Sequence, residues 1–168
     1  AEVTEKSVFD ALSEVFGGRE GVLKLKEKGL QFEIINIGGD DLSIIINSKY
    51  AFNFMIKFLE FFEDRTKPLI ELLDLAPWEH ITASIGAVIC KPAYPIYFVE
   101  KLAGSLLKSA KRRAKELRES SKKTGASSLP VESVVNYLYF TNPIACESSE
   151  EILKEFYFNK SKSILLTM

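Results

Sequence analysis

The 168-residue sequence has few of the residues that most often build metal and catalytic centres. Cys90 and Cys146 lie far apart without a paired-cysteine spacing, and His80 is the one histidine. A cysteine-rich zinc site and a catalytic triad are therefore poorly supported, and both cysteines fit small buried apolar residues. No basic and then apolar leader opens the chain, and no apolar run approaches the roughly 20 residues of a membrane helix. We expect a cytoplasmic protein with no membrane partner.

An excess of charge of one sign is also lacking, because 22 lysines and arginines nearly balance 23 aspartates and glutamates. The net charge of -1 gives no global attraction to nucleic acid or membrane, although local patches can still provide one. The hydrophobic fraction of 46% and the charged fraction of 27% are typical of a soluble globular protein. We expect residues 1–168 to form a single domain, as a piece of a larger multidomain protein.

Hydrophobic periodicity predicts helices and strands in a mixed order. The predicted helices are residues 7–16, 21–28, 50–62, 69–75, 96–119 and 150–158, and the predicted strands are residues 30–37, 42–46, 80–90 and 134–140. The broad aromatic face of the third helix predicts packing under a sheet. This order indicates an α/β (α+β) sandwich with helices on one face of a largely antiparallel sheet, in a ferredoxin-like or polymerase-palm arrangement.

The long helix at residues 96–119 has two contrasting faces. Small residues, Ala103, Gly104 and Ala114, are expected to allow close approach to the sheet. The other face is basic and contains Lys101, Lys108, Lys111, Arg112, Lys115 and Arg118.

Residues 32–46, FEIINIGGDDLSIII, place two glycines and two aspartates between two apolar runs. A hairpin turn needs residues that tolerate a positive φ, and Gly38-Gly39 followed by Asp40 supplies them. A turn alone does not account for Asp41, because adjacent carboxylates repel each other and add nothing to a core. A hard cation such as Mg²⁺ removes that repulsion and usually shares its oxygen ligands with substrate phosphates. The turn by itself leaves both interpretations open, a plain hairpin and a metal site.

The order of the motifs along the chain resembles a known family. INIGGDDL is followed by a Phe-rich helix, then by ITASIGAVI, then by YPIYFVEKLAGSLLKSAKRRAKE. Over residues 30–140 this order is similar to the palm domain of the polymerase-like large subunit of type III CRISPR effector complexes. In that family a Gly-Gly-Asp-Asp hairpin precedes a strand with a Ser-Ile-Gly tripeptide, in this chain residues 84–86, and a helix with an Ala-Lys pair, in this chain Ala110-Lys111.

The resemblance implies a nucleotidyl cyclase palm with a GGDEF-like sheet that converts ATP into cyclic oligoadenylate when the complex binds target RNA. It implies that Asp40 and Asp41 are catalytic and hold the divalent cation, Mg²⁺ or Mn²⁺. The nucleotide-binding residues it implies are Gly38, Gly39, Ser84 and Lys111. Besides ATP, the implied partners are the other effector subunits and the guide and target RNA. If the resemblance to the family is set aside, Lys111 fits a solvated helix face and Ser84 fits an ordinary strand position.

One feature departs from the family pattern. Palms of this kind carry a further metal-binding aspartate on a first strand, whereas this sequence opens with the helical pattern AEVTEKSVFDALSEVF. Asp10 lies inside that pattern and is a poor substitute. We therefore expect a palm that lacks the first strand and that binds nucleotide weakly, with little turnover, in isolation. The unpaired sheet edge this would leave predicts association into a homodimer.

Two competing functions remain. Diguanylate cyclases of the GGDEF type share the palm and the Gly-Gly hairpin, but their motif continues with an acidic residue and phenylalanine where this chain has Asp41-Leu42. Alternatively, the palm is a scaffold without catalysis, and the basic face at residues 101–123 binds RNA or neighbouring subunits, in which case phosphate contacts would make RNA binding strongly salt-dependent.

Overall fold

The computed structural model describes residues 2–25, 29, 31–74, 81–124 and 133–140. In chain order the elements are α1 (Glu2–Val15), α2 (Gly18–Lys24), β1 (Phe32–Gly38), β2 (Asp41–Ile46), α3 (Ser48–Leu72), β3 (Ser84–Ile89), α4 (Ile96–Thr124) and β4 (Val134–Tyr139). They form two compact units, one with α1 to α3 and the other with β3, β4 and α4 as far as Leu117. Helices with two small sheets make a mixed α/β fold of the predicted palm-like α+β class.

The predicted order of elements is confirmed over the described residues with one exception, because the two helices predicted at residues 50–62 and 69–75 are a single helix, α3. The sequence predicted a break at Pro68, whereas α3 runs through this residue to Leu72. Pro68 is exposed, so the helical hydrogen bond that it cannot donate is lost on the side that faces water. The helix is followed by Asp74 with a left-handed φ of 49°. His80, Cys146 and the predicted helix at residues 150–158 lie outside the described residues.

In the first unit α3 packs against α1. The buried apolar residues of the two helices are Val8, Ala11 and Leu12 from α1 and Ala51, Phe54, Met55 and Phe58 from α3. The aromatic face of α3, predicted to lie under a sheet, is therefore covered at least in part by a helix. Beside this core Arg65 of α3 forms an ion pair with Asp10 of α1.

In the second unit α4 covers the sheet formed by β3 and β4. Its core contains Leu102 and Leu106 of α4 together with Leu138 and Phe140, and Val88, Cys90 and Tyr94 pack against them. The helix and the sheet approach closely at Gly86, where an added Cβ would lie 2.3 Å from the carbonyl oxygen of Ala103. The prediction that Gly104 makes this approach is wrong, because Gly104 is exposed and a Cβ there would meet nothing within 4 Å.

The described strands pair as two separate two-stranded sheets. β1 and β2 are antiparallel, as predicted, but β3 and β4 are parallel, with Ser84 opposite Val134 and Ile89 opposite Tyr139. The expectation of a largely antiparallel sheet was therefore wrong for one of the two strand pairs, β3 with β4. The reason is that β3 and β4 are joined through α4, and a helical crossover connects parallel strands.

Candidate active site

The hairpin tip is a two-residue turn between β1 and β2. Gly38 and Asp41 are the last paired residues of the ladder, so Gly39 and Asp40 are the central residues of the turn. Gly39 has a φ of 62°, and Asp40 is not among the described residues with a positive φ. A positive φ at the first central position alone is the signature of a type II′ turn, which favours glycine there. The turn matches the right-handed twist of the strands, and the irregularity of the hairpin lies in β1, where the register shifts between Ile34 and Asn36.

Gly38 and Gly39 differ in whether the fold requires glycine at the position. Gly39 is required by its left-handed backbone, which a residue with a Cβ adopts only at a cost. Gly38 has no such φ and lies within β1, yet a Cβ at this position would meet nothing within 4 Å. Glycine inside a strand weakens it and often marks a place where a ligand or another backbone comes close. The described fold therefore explains Gly39 but gives no reason for Gly38.

Asp40 and Asp41 are adjacent, and both are exposed. Asp40 occupies the turn, so the alternation of strand faces does not force its carboxylate away from that of Asp41. Within the described part of the chain, neither carboxylate takes part in an ion pair. The described residues contain no cluster of three or more acidic, histidine or cysteine side chains arranged for a metal ion. Two carboxylates completed by substrate phosphates and water fit the way Mg²⁺ is usually held.

Aromatic rings fix the base of the hairpin. Phe16, which follows α1, stacks on Phe32 at the start of β1 with 5.3 Å between ring centroids. The Phe16 ring also lies 4.8 Å from the ring of Tyr50 in α3. Aromatic pairs at these separations add to the free energy of burial. The hairpin is thus held at its strand ends, and its turn points away from the point of attachment.

Hydrogen bonds fix the same end of the hairpin. The Asn47 amide donates to the Gln31 carbonyl at 2.8 Å, and the Asn47 side chain donates to the Gln31 side-chain oxygen at 3.2 Å. The Oδ1 atom of Asn47 accepts a hydrogen bond from the Lys49 amide at 3.1 Å. Asn47 therefore caps the first turn of α3 while it closes the hairpin, which satisfies amides that a helix start leaves without partners.

Asp10 is not placed to take part in a metal site at the tip. Its carboxylate pairs with the guanidinium of Arg65, which also donates to the Phe61 carbonyl at 3.2 Å. Asp10 thus links α1 to α3, and its charge is used for that contact. The sequence pattern identified it as a poor substitute for a strand aspartate, and its contacts give the physical reason.

The other two predicted nucleotide contacts belong to the second unit. Ser84 begins β3 and shares a face of the strand with Gly86, the face that α4 covers. Ser84 is half-buried, whereas Lys111 is exposed on α4. Asp40 and Asp41 belong to the first unit, so the assignment of Ser84 and Lys111 to the same site stays a prediction.

Two shallow cavities accompany these elements. The larger has a volume of about 320 Å³ and is lined by Ser109, Ala110, Arg112, Arg113, Glu116, Val134, Val135 and Asn136. The other has a volume of about 310 Å³ and is lined by Glu14, Val15, Asn53, Ile56 and Lys57. Neither of these two cavities is lined by a residue of the hairpin tip or by Ser84 or Lys111, and the tip residues from Gly38 to Asp41 are exposed.

The family model of the second palm domain of Cas10/Cmr2 matches residues 4–120. The chain therefore belongs to this family, the palm domain of the large subunit of type III CRISPR effector complexes, and this confirms the resemblance drawn from the motifs. The family places the domain in a CRISPR effector context, with other effector subunits as partners. No curated protein and no solved structure matched the chain. No helix in the described part of the chain has the length and apolarity needed to cross a membrane.

Proposed function

We propose that the hairpin tip binds a divalent cation, Mg²⁺ or Mn²⁺, together with the triphosphate of ATP. In the complete effector subunit this palm would be a nucleotidyl transfer centre that makes cyclic oligoadenylate. The reaction joins the 3′-oxygen of one ATP to the α-phosphorus of another and releases pyrophosphate. The CRISPR palm family is the context for this proposal, and the geometry of the tip is its physical support.

The observation that carries the proposal is the open space at Gly38. A strand glycine that the described fold does not require stands directly opposite Asp41, beside a second exposed carboxylate. A side chain at this position would occupy the space through which a nucleotide reaches the carboxylates. The absence of a Cβ and the acidic pair are explained together if phosphates and a cation bind at the tip.

The tip residues fit a cation shared with substrate. Asp40 and Asp41 would hold it through carboxylate oxygens, and their mutual repulsion would be relieved by its charge. When bound, the cation would stabilise charge on the α-phosphate and lower the pKa of the attacking hydroxyl. The chain itself would position the carboxylates on a turn anchored by Phe16 and Phe32.

Adenine rather than guanine is the proposed base. In diguanylate cyclases of the GGDEF type the second acidic residue is followed by phenylalanine, whereas Asp41 is followed by Leu42. The match to the CRISPR palm family supports the same choice. Preference for ATP over GTP therefore distinguishes the two enzymatic functions.

The test is calorimetric titration of ATP, with GTP as comparator, into the protein in the presence and absence of Mn²⁺. We expect ATP binding that requires Mn²⁺, exceeds GTP binding and is lost in the Asp40→Asn/Asp41→Asn variant. Equal ATP binding by the variant would contradict the proposal and favour a scaffold palm. Where ATP binds, cyclic oligoadenylate is looked for in the assembled effector complex.

A further inference from the structure

The hairpin of β1 and β2 sorts its side chains onto two different faces. Facing residues of the ladder lie on the same side of the sheet, and residues two apart along a strand share that side. One face holds six half-buried apolar residues, Phe32, Ile34, Ile37, Leu42, Ile44 and Ile46. The other face, called the Asn36 face, is exposed and consists, from the tip inwards, of the pairs Gly38 with Asp41, Asn36 with Ser43 and Glu33 with Ile45.

A β-bulge in β1 keeps these two faces apart. The extra residue is Ile35, so that Ile35 and Asn36 together oppose Ser43. Without the bulge, strict alternation along the strand would carry Asn36 and Gly38 onto the apolar face. Bulges are frequent next to active sites, where they re-aim a side chain. In this hairpin the bulge places Asn36 on the same side as Gly38 and Asp41.

Asn36 is, like Gly38, a residue for which the described fold gives no reason. Asparagine is depleted in strands, and Asn36 is exposed. Within the described part of the chain, its side-chain amide takes part in no hydrogen bond. An amide side chain offers an acceptor oxygen beside an NH₂ donor. Asn36 therefore presents a donor and an acceptor side by side, one residue pair away from the acidic tip.

The spacing along the Asn36 face suits a nucleotide whose phosphates lie at the tip. Successive residue pairs on one face are about 7 Å apart, because a strand rises about 3.4 Å per residue. Gly38, with open space beside it, lies between the turn and Asn36 along β1. A triphosphate held at Asp40 and Asp41 would therefore place its ribose over Gly38 and its base beside Asn36. This order also gives the missing Cβ of Gly38 a purpose, because a side chain there would meet the ribose.

Ile45 adds an apolar surface next to these polar groups. Its side chain is 44% exposed and lies on the same face as Ser43. Ligand sites combine apolar surface with a few polar groups that fix the orientation of the ligand. A purine ring can rest on Ile45 while its edge meets the side-chain amide of Asn36.

An asparagine side chain distinguishes adenine from guanine by its hydrogen bonds. Adenine presents N7 as an acceptor and the N6 amino group as a donor, and an asparagine amide pairs with both at once. Guanine presents two acceptors, N7 and O6, at the same edge, so one of the two hydrogen bonds would be lost. An arginine side chain makes the opposite choice, because its guanidinium only donates.

We propose that Asn36 is the residue that selects adenine at the hairpin tip. Its side-chain amide donates to N7 and accepts from the N6 amino group, and the purine ring lies on Ile45. This inference rests on the proposed function, because it needs the triphosphate at Asp40 and Asp41. It assigns the choice of base to a side chain of the hairpin itself.

The test is calorimetric titration, in Mn²⁺, of ATP, GTP, 7-deaza-ATP and inorganic tripolyphosphate. The unchanged protein should bind ATP roughly 10- to 100-fold more tightly than GTP. Asn36→Ala should weaken ATP binding roughly tenfold and bring ATP and GTP within about threefold of each other. Its binding of tripolyphosphate, which has no base, should stay the same. Asn36→Arg should prefer GTP, because the guanidinium matches N7 and O6.

The analogue 7-deaza-ATP tests the hydrogen bond to N7 by itself. It has a carbon in place of N7 and so loses one of the two bonds to Asn36. The unchanged protein should bind it roughly three- to tenfold more weakly than ATP. Asn36→Ala should bind the analogue and ATP equally, because the partner of N7 is already missing.

The matched control is Asn53→Arg, which makes the same change at an exposed asparagine of α3. It should keep the preference for ATP, and neither Asn36 variant should lower the melting temperature, because the side chain is exposed. The inference alone is overturned if ATP and tripolyphosphate bind but Asn36→Ala keeps the full preference, if the unchanged protein binds ATP and GTP equally, or if Asn53→Arg loses the preference. If neither ATP nor tripolyphosphate binds, the proposed function fails and the inference fails with it.

Discussion

Gly38 lies opposite Asp41 in the last residue pair of the β1 and β2 ladder. A strand residue without a side chain, next to open space, thus faces one of two exposed carboxylates. The tip therefore carries the carboxylates of Asp40 and Asp41 and, next to them, open space beside Gly38. The interpretation of this tip as a metal and nucleotide site depends on these two residues together.

The first prediction separates the acidic pair from the fold. Asp40→Asn/Asp41→Asn should abolish Mn²⁺-dependent ATP binding while the free energy of unfolding changes by no more than about 0.5 kcal/mol, because both side chains are exposed. Titration calorimetry and urea unfolding measure the two quantities. Glu33→Gln, an exposed change on the same hairpin away from its tip, is the matched control and should retain binding. Equal losses in the control and the double variant would contradict the prediction.

The second prediction separates the two glycines. Gly39→Ala should lower the free energy of unfolding by about 1 to 2 kcal/mol, because alanine disfavours the left-handed φ of the turn. Gly38→Ala should leave it unchanged or raise it by up to about 1 kcal/mol, since the strand backbone accepts alanine without strain. Of the two glycine variants, only Gly38→Ala should combine a stable fold with weakened ATP binding. A Gly38→Ala protein that is stable and binds ATP normally would show that nucleotide access does not require glycine at this position.

The third prediction concerns the close approach of α4 to β3. Gly86→Ala should destabilise the protein by about 1 to 3 kcal/mol, because the new Cβ would meet the backbone of α4. Gly104→Ala, in the facing helix but in open space, should instead stabilise by about 0.5 to 1 kcal/mol. Chemical denaturation of both variants checks the opposite signs. Two changes of the same sign would mean that Gly86 is not the point of approach.

The fourth prediction concerns Cys90. Burial raises the pKa of the Cys90 thiol, and the thiolate is the form that reacts. In a Cys146→Ser background, Cys90 should therefore react with a thiol reagent at pH 8 clearly more slowly in the folded protein than in the same protein unfolded in urea. The rate is measured from the absorbance of the chromophore that the thiol reagent releases when it reacts. Equal rates in the folded and unfolded protein would show that the thiol is not protected.

The sequence predicted the elements of the fold because their patterns are local. The alternation of apolar residues in β1 and β2, with glycines between them, was enough to predict the hairpin, and the helical spacing was enough for α1, α3 and α4. Pro68 led to a wrong prediction. Whether a helix continues through proline depends on the helix that precedes it and on whether water can reach the carbonyl that loses its hydrogen bond. The parallel pairing of β3 with β4 also went against the prediction, although the strand, helix, strand order signals a crossover.

The candidate site was only partly predictable for a similar reason. Motif order was sufficient to identify the Gly-Gly-Asp-Asp turn and the family, but not to tell the roles of Gly38 and Gly39 apart. That distinction depends on one φ angle and on the space beside each glycine, neither of which a sequence pattern contains. Gly104 shows the same limit, because the sequence identified a small residue in a helix but not that it lies on the exposed side, away from the sheet.

The central claim is that the hairpin tip holds a metal ion together with ATP. Paramagnetic broadening of the backbone amide resonances by Mn²⁺, recorded with and without ATP, tests it most directly because broadening falls steeply with distance from the ion. The account predicts selective broadening of residues 38–42 that strengthens with ATP and disappears in Asp40→Asn/Asp41→Asn. Broadening centred elsewhere, or the same broadening in the variant, would contradict it.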